Sequence, residues 1–134
     1  MITIDVIIPA QNEQDRIEQS INQFKQANIG KVIVINDHST DKTPILAQRA
    51  NAEVIDFPTV LAQPHQSTLY TYGKNHSKAD YVLIADVDEA WDRTFLENAK
   101  TIVENKIKTY PIPIFGYKFP RFTLYLIIQN EANP

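Results

Sequence analysis

The sequence predicts an α/β fold in which a mostly parallel sheet carries helices on both faces and ends in antiparallel strands. Residues 6–9, 32–35 and 81–85 are continuous apolar runs, which are typical of strands buried on both faces. Residues 53–57 (EVIDF) are predicted to form a shorter strand, the third in chain order. Stretches with helical spacing separate these runs, and strand–helix–strand units of this kind connect parallel strands by right-handed crossovers.

The first two helices are bounded by start and stop residues. We expect Asn12 to be the N-cap of the first helix, which should end at residues 28–30. In the second helix, Thr43 is the predicted N-cap and Pro44 the first helical residue, because proline is tolerated at that position. The second helix should run to Ala50.

The later elements are predicted in the same way. A third helix is expected over residues 67–77, although Gly73 lowers the helix propensity. Asp92 is expected to cap the last helix, and residues 115–119 and 122–128 are predicted strands. The apolar face of the last helix consists of Phe95, Leu96, Ala99, Ile102 and Val103.

Composition limits the classes of partner. The chain has 134 residues, of which 43% are hydrophobic, and this is enough for one domain with its own core. The net charge of −3 and the lack of a lysine and arginine run argue against nucleic acid. There is no cysteine for a disulfide or a thiolate metal site.

No apolar run could span a bilayer and no signal peptide is recognisable, so we expect a cytoplasmic protein, at most peripheral to a membrane.

Polar side chains follow three of the four predicted strands, at residues 11–13, 36–37 and 86–88. Parallel strands place their carboxyl ends at one edge of the sheet, so we expect these groups to converge. Ligands of such sheets bind at this edge, near the point where the strand order reverses.

Asp86 and Asp88 stand one residue apart, directly after a buried strand. Two charged carboxylates this close would repel each other, and a divalent cation would remove that cost. Hard oxygen ligands suit Mg²⁺ or Mn²⁺, which also bind substrate phosphates. The alternative is that one of the two aspartates caps a turn while Glu89 is solvated.

Asp37 and Lys74 each allow two interpretations. Asp37 could accept an N–H from a base or a hydroxyl from a sugar, or it could close a turn in its own loop. Lys74 could pair with an anionic nucleotide, or lie solvated on its helix. His38, His65 and His76 lack metal-ligand spacing, so we expect structural or solvent roles for them.

Five segments, in chain order, resemble family 2 glycosyltransferases of the GT-A fold. The second segment is similar to the family's Asp-Asp-Gly-Ser-Thr-Asp-Gly-Thr loop, and the fourth to its strand ending in Asp-x-Asp. The last resembles lipopolysaccharide-core-type members. The segments are residues 6–13 (VIIPAQNE), 32–43 (VIVINDHSTDKT), 73–75 (GKN), 81–89 (YVLIADVDE) and 116–121 (GYKFPR).

The resemblance implies a Rossmann-like sheet that binds a nucleotide-diphosphate sugar, and hexosyl transfer from that donor to an acceptor hydroxyl. It also implies roles at the base and ribose. Pro9, Ala10 and Gln11 would line the base, largely by backbone groups. Glu13 would approach the ribose, and Asp37 would accept from the base.

The resemblance implies further roles at the diphosphate. Lys74 stands where an arginine of the family often contacts the nucleotide. Asp86 would hold the ribose or a metal-bound water. Asp88 would ligate Mn²⁺ or Mg²⁺ at the diphosphate.

The sequence departs from the family pattern at several points. His38 replaces a glycine where a positive φ is wanted, and Gln11 stands where an aromatic residue is common. Inverting members use a later aspartate or glutamate as general base, and Glu131 matches no such motif. The catalytic residue is therefore unassigned. We expect residues 1–134 to form a single domain, truncated before the acceptor subdomain, with weak transfer activity on its own.

Two alternatives stay open at this point. One is a non-catalytic nucleotide-sugar-binding or assembly module on the same fold. The other is a sugar-1-phosphate nucleotidyltransferase, which shares a similar core. That class needs a glycine-rich, basic loop after the first strand, and residues 10–13 (AQNE) are neither glycine-rich nor basic.

The C-terminal part of the chain suggests an assembly. Residues 122–128 (FTLYLII) are apolar and uncharged, and such a strand at a sheet edge is a template for pairing with another chain. We expect a homodimer, or an aggregation-prone monomer, joined through residues 115–128. The alternative is that the strand is buried in its own core.

Overall fold

A computed structural model describes residues 2–59, 66–109 and 127–129. Strands and helices alternate along the chain. Their bounds are β1 (Ile4–Ala10), α1 (Ile17–Ala27), β2 (Val32–Asn36), α2 (Thr43–Arg49), β3 (Glu53–Asp56), α3 (Gln66–His76), β4 (Tyr81–Ile84), α4 (Arg93–Thr109) and β5 (Ile127–Gln129).

The strands form one sheet in the order β3-β2-β1-β4-β5. The first four are parallel, and β5 pairs antiparallel with β4. This confirms the predicted fold class. The predicted strand at residues 115–119, and residues 122–126 of the next one, lie outside the described residues. Strand order reverses between β1 and β4, which makes their carboxyl ends the switch point of the sheet.

Helices cover both faces of the sheet. On one face, α1, α2 and α4 pack on a core that includes Val6 and Ile8, and on the other face α3 packs on a core that includes Ile7. Every residue of β1 is buried, Asp5 included, and the apolar run after Asp5 lacks the alternation of a half-exposed strand. The strands are therefore buried between helices, and polar side chains cluster at the carboxyl edge of the sheet. In the part of the chain that the structure describes, no helix has the length and apolar character needed to cross a membrane.

Two helix starts differ from the prediction. Asn12 is not an N-cap, because α1 begins only at Ile17 and Asn12 lies in the preceding loop with φ 53°. Its side chain instead accepts a hydrogen bond from the loop after β2. Thr43 is the first residue of α2 and not its N-cap. The prediction for α4 is confirmed, since Oδ2 of Asp92 accepts from the Phe95 N–H at 2.9 Å.

Gly73 lies within α3 for a steric reason. A Cβ at this position would lie 2.4 Å from Cγ2 of Ile7 and 3.1 Å from Cγ1 of Ile35. The glycine therefore lets α3 approach the sheet more closely than any other residue would allow. This close approach outweighs the propensity that glycine costs in a helix.

Candidate functional site

Hydrogen bonds join the loop after β1 to the loop after β2. The Thr40 N–H donates to Oδ1 of Asn12 at 2.8 Å, and the Asn12 N–H donates to Oγ of Ser39 at 3.0 Å. The next amide along, that of Glu13, donates to Oγ1 of Thr43 at 2.8 Å. Because these bonds cross between two strands, the two loops form one unit at the carboxyl edge.

Asp41 closes the outer end of this unit. Its Oδ1 accepts from the N–H and the hydroxyl of Thr43 at 2.9 and 2.5 Å, and its Oδ2 accepts from the Gln14 N–H at 3.2 Å. Burial acts to raise the pKa of Asp41. The hydrogen bonds from Thr43 and Gln14 outweigh that effect and leave the pKa below its ordinary value.

Asp37 lies buried directly after β2 and is 7% exposed. Its N–H continues the ladder by donating to the Ala10 carbonyl at 2.9 Å, and its Oδ1 lies 3.3 Å from Nδ1 of His38. The turn is closed by Asn36, whose Oδ1 accepts from the Ser39 N–H at 3.1 Å. The turn-closing role considered for Asp37 thus belongs to Asn36, which nothing in the sequence distinguished from its neighbours.

Two of the three histidines lie within the described residues. His38 has φ 58°, so it occupies the left-handed region in which the resembled family has glycine. Nδ1 of His76 lies 2.8 Å from the Tyr72 carbonyl on α3. His65 lies outside the described residues.

The residues predicted to line the base and ribose lie at the end of β1 and just beyond it. Pro9 and Ala10 are the last two residues of the strand and are buried, whereas Gln11 is exposed. The carboxylate of Glu13 binds the guanidinium of Arg16 at 2.8 and 3.0 Å. A ribose that approaches Glu13 would therefore also meet Arg16.

Asp86 lies in the loop after β4, beside the end of β1. The hydroxyl of Tyr70 on α3 donates to Oδ1 of Asp86, a contact that the sequence did not indicate. The Asp86 N–H donates to Oε1 of Glu89 at 2.6 Å, and the Glu89 N–H donates to the Asp86 carbonyl at 3.2 Å. The side chain that closes this turn is therefore Glu89, which is not merely solvated.

Asp88 is exposed in the same loop, and its charge acts on two neighbours. Burial raises the pKa of Glu89, and the carboxylates of Asp86 and Asp88 act in the same direction. The pKa of Arg16 is raised chiefly by Glu13 and in smaller part by Asp88. The loop after β4 lies beside the loop after β1, because β1 and β4 are neighbouring parallel strands.

Gln23 on α1 fixes the far end of the loop after β4. Its Nε2 donates to the Glu89 carbonyl at 2.9 Å, and its Oε1 accepts from the Trp91 N–H at 2.9 Å. The Trp91 ring meets Phe24 edge-on and stacks on Phe95, both at 6.0 Å between ring centroids. One side-chain amide and two aromatic contacts therefore set the position of this loop relative to α1 and α4.

Lys74 lies one helical turn after Tyr70, on the same face of α3. The first half of the helix contacts Asp86 through Tyr70, and the chain just after the helix is tied to the beginning of β1 by the Ser77 hydroxyl, which donates to Asp5 at 2.7 Å. Its N-terminus therefore points to the carboxyl edge of the sheet. Because Cα–Cβ bonds of a helix tilt toward its N-terminus, we expect the Lys74 side chain to lean toward that edge.

The donor set at the switch point fits a divalent cation that substrate helps to hold. Oδ1 of Asp86 accepts a hydrogen bond from the Tyr70 hydroxyl, so Oδ2 is the oxygen that can ligate a cation. The carboxylate of Asp88 is exposed. Within the described part of the chain, no group of three or more histidine, cysteine, aspartate or glutamate side chains could hold a metal. Two carboxylates suit Mg²⁺ or Mn²⁺ that completes its shell with water and phosphate oxygens.

A parallel sheet that carries polar side chains at its switch point is an architecture that nucleotide-binding α/β proteins use. The sequence matches the family described as Glycosyl transferase family 2 over residues 5–126. This match covers most of the chain, and the chain belongs to that family. The resemblance seen in the sequence is therefore confirmed at the level of the family.

Named relatives agree with this membership. An uncharacterized glycosyltransferase of Rickettsia bellii is 39% identical over 132 residues, which are 98% of this chain and 41% of that protein. The 4,4'-diaponeurosporenoate glycosyltransferase of Staphylococcus aureus is 34% identical over 116 residues, or 81% of this chain and 28% of that protein. The chain thus spans less than half the length of either relative. Neither name refers to lipopolysaccharide, so that part of the resemblance stays a prediction.

Solved structures show the same fold. Glucosyl-3-phosphoglycerate synthase of Mycobacterium tuberculosis, in complex with Mn²⁺, UDP and glucosyl-3-phosphoglycerate, superposes with a TM-score of 0.57 at 29% identity. The match covers 65% of this chain and 34% of that one. A further structure of the synthase holds Mg²⁺ and UDP. A mycobacterial protein matches 75% of this chain and 37% of its own, with a TM-score of 0.62 at 27% identity.

Proposed function

We propose that this chain binds a nucleotide-diphosphate sugar and forms the donor site for hexosyl transfer to an acceptor hydroxyl. The observation that carries the proposal is the arrangement of Asp37 and Asp86, which follow β2 and β4 on either side of β1. Neighbouring strands lie about 4.8 Å apart, so the backbones at these residues are roughly 10 Å apart along the edge. One nucleotide can therefore meet Asp37 with its base and Asp86 with its ribose and diphosphate.

The base and ribose would bind above the ends of β1 and β2. Pro9, Ala10 and Gln11 would line the base, with Asp37 accepting from one of its N–H groups. The burial of Asp37 supports this role, because a buried carboxylate gains more from a ligand hydrogen bond than an exposed one. Glu13 would approach the ribose with its carboxylate oriented by Arg16.

The diphosphate would bind above the end of β4. Asp88 and Asp86 would hold Mn²⁺ or Mg²⁺ there, and such an ion stabilises charge on a departing diphosphate. Lys74, one helical turn after Tyr70 on α3, would reach the same edge and pair with the nucleotide. The M. tuberculosis synthase, which shares this fold, was crystallised with Mn²⁺ or Mg²⁺ and UDP, and this supports the choice of ligands.

Transfer also needs a base that deprotonates the acceptor hydroxyl, and no residue of this chain is assigned to that step. We propose that residues 1–134 form one donor-binding domain. Family membership favours glycosyl transfer over the nucleotidyltransferase alternative, and so does the absence of a glycine-rich, basic loop after β1. A cytoplasmic location stays a prediction.

The test is calorimetric binding of UDP and a panel of nucleotide sugars, with and without Mn²⁺. Asp88→Ala should abolish the dependence on metal, because it removes the direct ligand. Asp37→Ala should weaken binding about 10–100-fold even without metal, because it removes a charged acceptor for the base. Glu53→Ala is the matched control, since this exposed carboxylate pairs with Lys31 at the opposite edge of the sheet.

Parent-like binding by both aspartate variants would show that the site is assigned wrongly. Transfer assays on the same proteins separate the remaining alternative. Nucleotide binding without detectable turnover would favour a non-catalytic binding or assembly module, whereas even weak transfer would favour the glycosyltransferase.

We further propose that the chain pairs with a second copy through residues 115–128. The support is the position of β5 (Ile127–Gln129), which is the outermost strand on its side of the described sheet. The rest of that segment lies outside the described residues. A clean monomer in light scattering at high concentration, unaffected by Leu126→Lys, would contradict the pairing.

A further inference from the structure

Tyr70 lies on α3, which packs on the opposite face of the sheet from α1, α2 and α4. From there it contacts one of the proposed site carboxylates. It is half-buried in α3, and its hydroxyl donates to Oδ1 of Asp86, 16 residues further along the chain. Neither the Asp-x-Asp pattern nor the Gly-Lys-Asn segment includes this residue. The bond is therefore a feature of the packing of α3, and not of the motifs.

The loop itself fixes only the backbone of Asp86. The Asp86 N–H donates to Oε1 of Glu89, and the Asp86 carbonyl accepts from the Glu89 N–H. The carboxylate could still rotate about its side-chain bonds, and the Tyr70 hydroxyl restricts that rotation by occupying Oδ1. Oδ2 is then the oxygen that a ligand can take.

The helix that carries Tyr70 is itself held firmly on the sheet. Gly73 brings α3 close to Ile7 of β1, and the buried Ser77 hydroxyl donates to Asp5 at 2.7 Å just beyond the end of the helix. Tyr70 therefore has a defined position relative to β1 and β4. It can hold the Asp86 carboxylate in place, because a hydroxyl that donates to a carboxylate forms one of the stronger kinds of hydrogen bond.

We propose that Tyr70 is a positioning residue for the metal-bound nucleoside diphosphate. Its hydroxyl holds Asp86 in one orientation, with Oδ2 free for the metal, its water or the ribose, and so raises the affinity of the site. Partners that orient a ligating carboxylate in this way contribute to metal affinity without touching the metal. The inference rests on the proposed function of Asp86, and it identifies Tyr70 as the residue that orients the Asp86 carboxylate.

A purely structural role makes a different prediction. If the bond served only to fasten α3 to the loop after β4, Tyr70→Phe would lower the melting temperature and leave ligand affinity unchanged. A positioning role requires a selective loss of metal-dependent affinity. The two roles are therefore separated by comparing UDP binding with and without Mn²⁺ in folded protein.

The experiment compares Tyr70→Phe with Tyr72→Phe. Both variants remove one hydroxyl from α3, but the Tyr72 ring packs against Phe57 and His76, at 5.1 and 4.4 Å between ring centroids. Binding of Mn²⁺ alone is measured by electron paramagnetic resonance, and binding of UDP with and without Mn²⁺ by calorimetry. We expect Tyr70→Phe to lose about tenfold in affinity for Mn²⁺ and for Mn²⁺ with UDP, and to keep the metal-free affinity for UDP. Tyr72→Phe should match the parent in all three.

A double variant tests whether Tyr70 acts through Asp86. In the Asp86→Asn background, Tyr70→Phe should cause no further loss of Mn²⁺ affinity, because the effect of the hydroxyl passes through the carboxylate. Additive losses would overturn the inference, as would parent-like Mn²⁺ binding by Tyr70→Phe. A parent that binds Mn²⁺ but not UDP would contradict the proposed function, and the role of Tyr70 would then be decided on Mn²⁺ alone. A parent that binds neither overturns both.

Discussion

Asn12 and Thr40 are 28 residues apart in sequence, yet the Thr40 N–H donates to Oδ1 of Asn12 at 2.8 Å. The Thr40 hydroxyl donates to the same oxygen at 3.3 Å. Asn12 adopts φ 53°, a conformation that asparagine tolerates better than most residues do. The side chain and the backbone of Asn12 therefore both contribute to joining the two loops that carry the proposed base site.

Replacing Asn12 separates these two contributions. Asn12→Gly keeps the positive φ but loses the acceptor, and should lower the free energy of unfolding by about 1 kcal/mol. Asn12→Ala loses the acceptor and also strains the backbone, and should cost roughly 1–2 kcal/mol more than the glycine variant. Urea unfolding measures both. If the alanine variant were as stable as the glycine variant, the positive φ would not be strained in this loop.

The strands and the convergence of polar groups could be predicted from sequence for a physical reason. A parallel sheet buries both faces of its strands, so residues 6–10 of β1 and 32–35 of β2 are unbroken apolar runs. Parallel order alone brings the residues after them to one edge. Asn12 was misassigned as an N-cap because a local pattern contains no information about Thr40.

Contacts that depend on tertiary packing could not be predicted in this way. Tyr70 reaches Asp86, and Gln23 reaches Glu89 and Trp91, only because α3 and α1 lie at particular distances from the sheet. A tyrosine or a glutamine on a helix has no sequence pattern that marks such a partner. The carboxylates that end the strands were predictable, whereas the side chains that orient them were not.

Gly73→Ala should push α3 away from the sheet. The added methyl would lie 2.4 Å from Cγ2 of Ile7, and overpacking of a rigid core costs about 1–3 kcal/mol. The clash should be relieved in the Gly73→Ala, Ile7→Ala double variant, which should be more stable than the sum of the two single changes predicts. Thermal unfolding of the four proteins gives the coupling. Strict additivity would mean that Ile7 does not limit the approach of α3.

The carboxylate of Asp41 should make stability depend on pH. Its pKa in the folded protein lies below the ordinary value, because hydrogen bonds from Thr43 and Gln14 outweigh the effect of burial. The contribution is therefore present above about pH 4 and is lost as pH falls through the folded pKa. Asp41→Asn should be less stable than the parent at neutral pH, and the gap should close in acid. A gap that stays constant in urea unfolding across this range would show that the charge of Asp41 does not matter.

Trp91 is the single tryptophan of the chain, so its fluorescence reports on the loop that carries Asp86 and Asp88. The backbone N–H of Trp91 donates to Oε1 of Gln23, and the Gln23 Nε2 donates to the Glu89 carbonyl, both at 2.9 Å. Gln23→Ala removes both bonds and should lower the free energy of unfolding by about 2 kcal/mol. It should also speed hydrogen exchange of the Trp91 amide and shift the emission to longer wavelength, because the indole becomes more exposed to water.

The same fluorescence tests whether the loop senses ligand. Mn²⁺ with UDP should change the emission of the parent, because the proposed metal ligand Asp88 lies three residues before Trp91 in the same loop. Asp88→Ala should abolish the change, and Gln23→Ala should weaken it by loosening the loop. Gln19→Ala, an exposed glutamine on the same helix, is the matched control and should respond like the parent. If Gln23→Ala responded with the parent's amplitude and midpoint, the two hydrogen bonds would not position the loop for its ligand, and its order would have to come from the packing of Trp91 on Phe24 and Phe95.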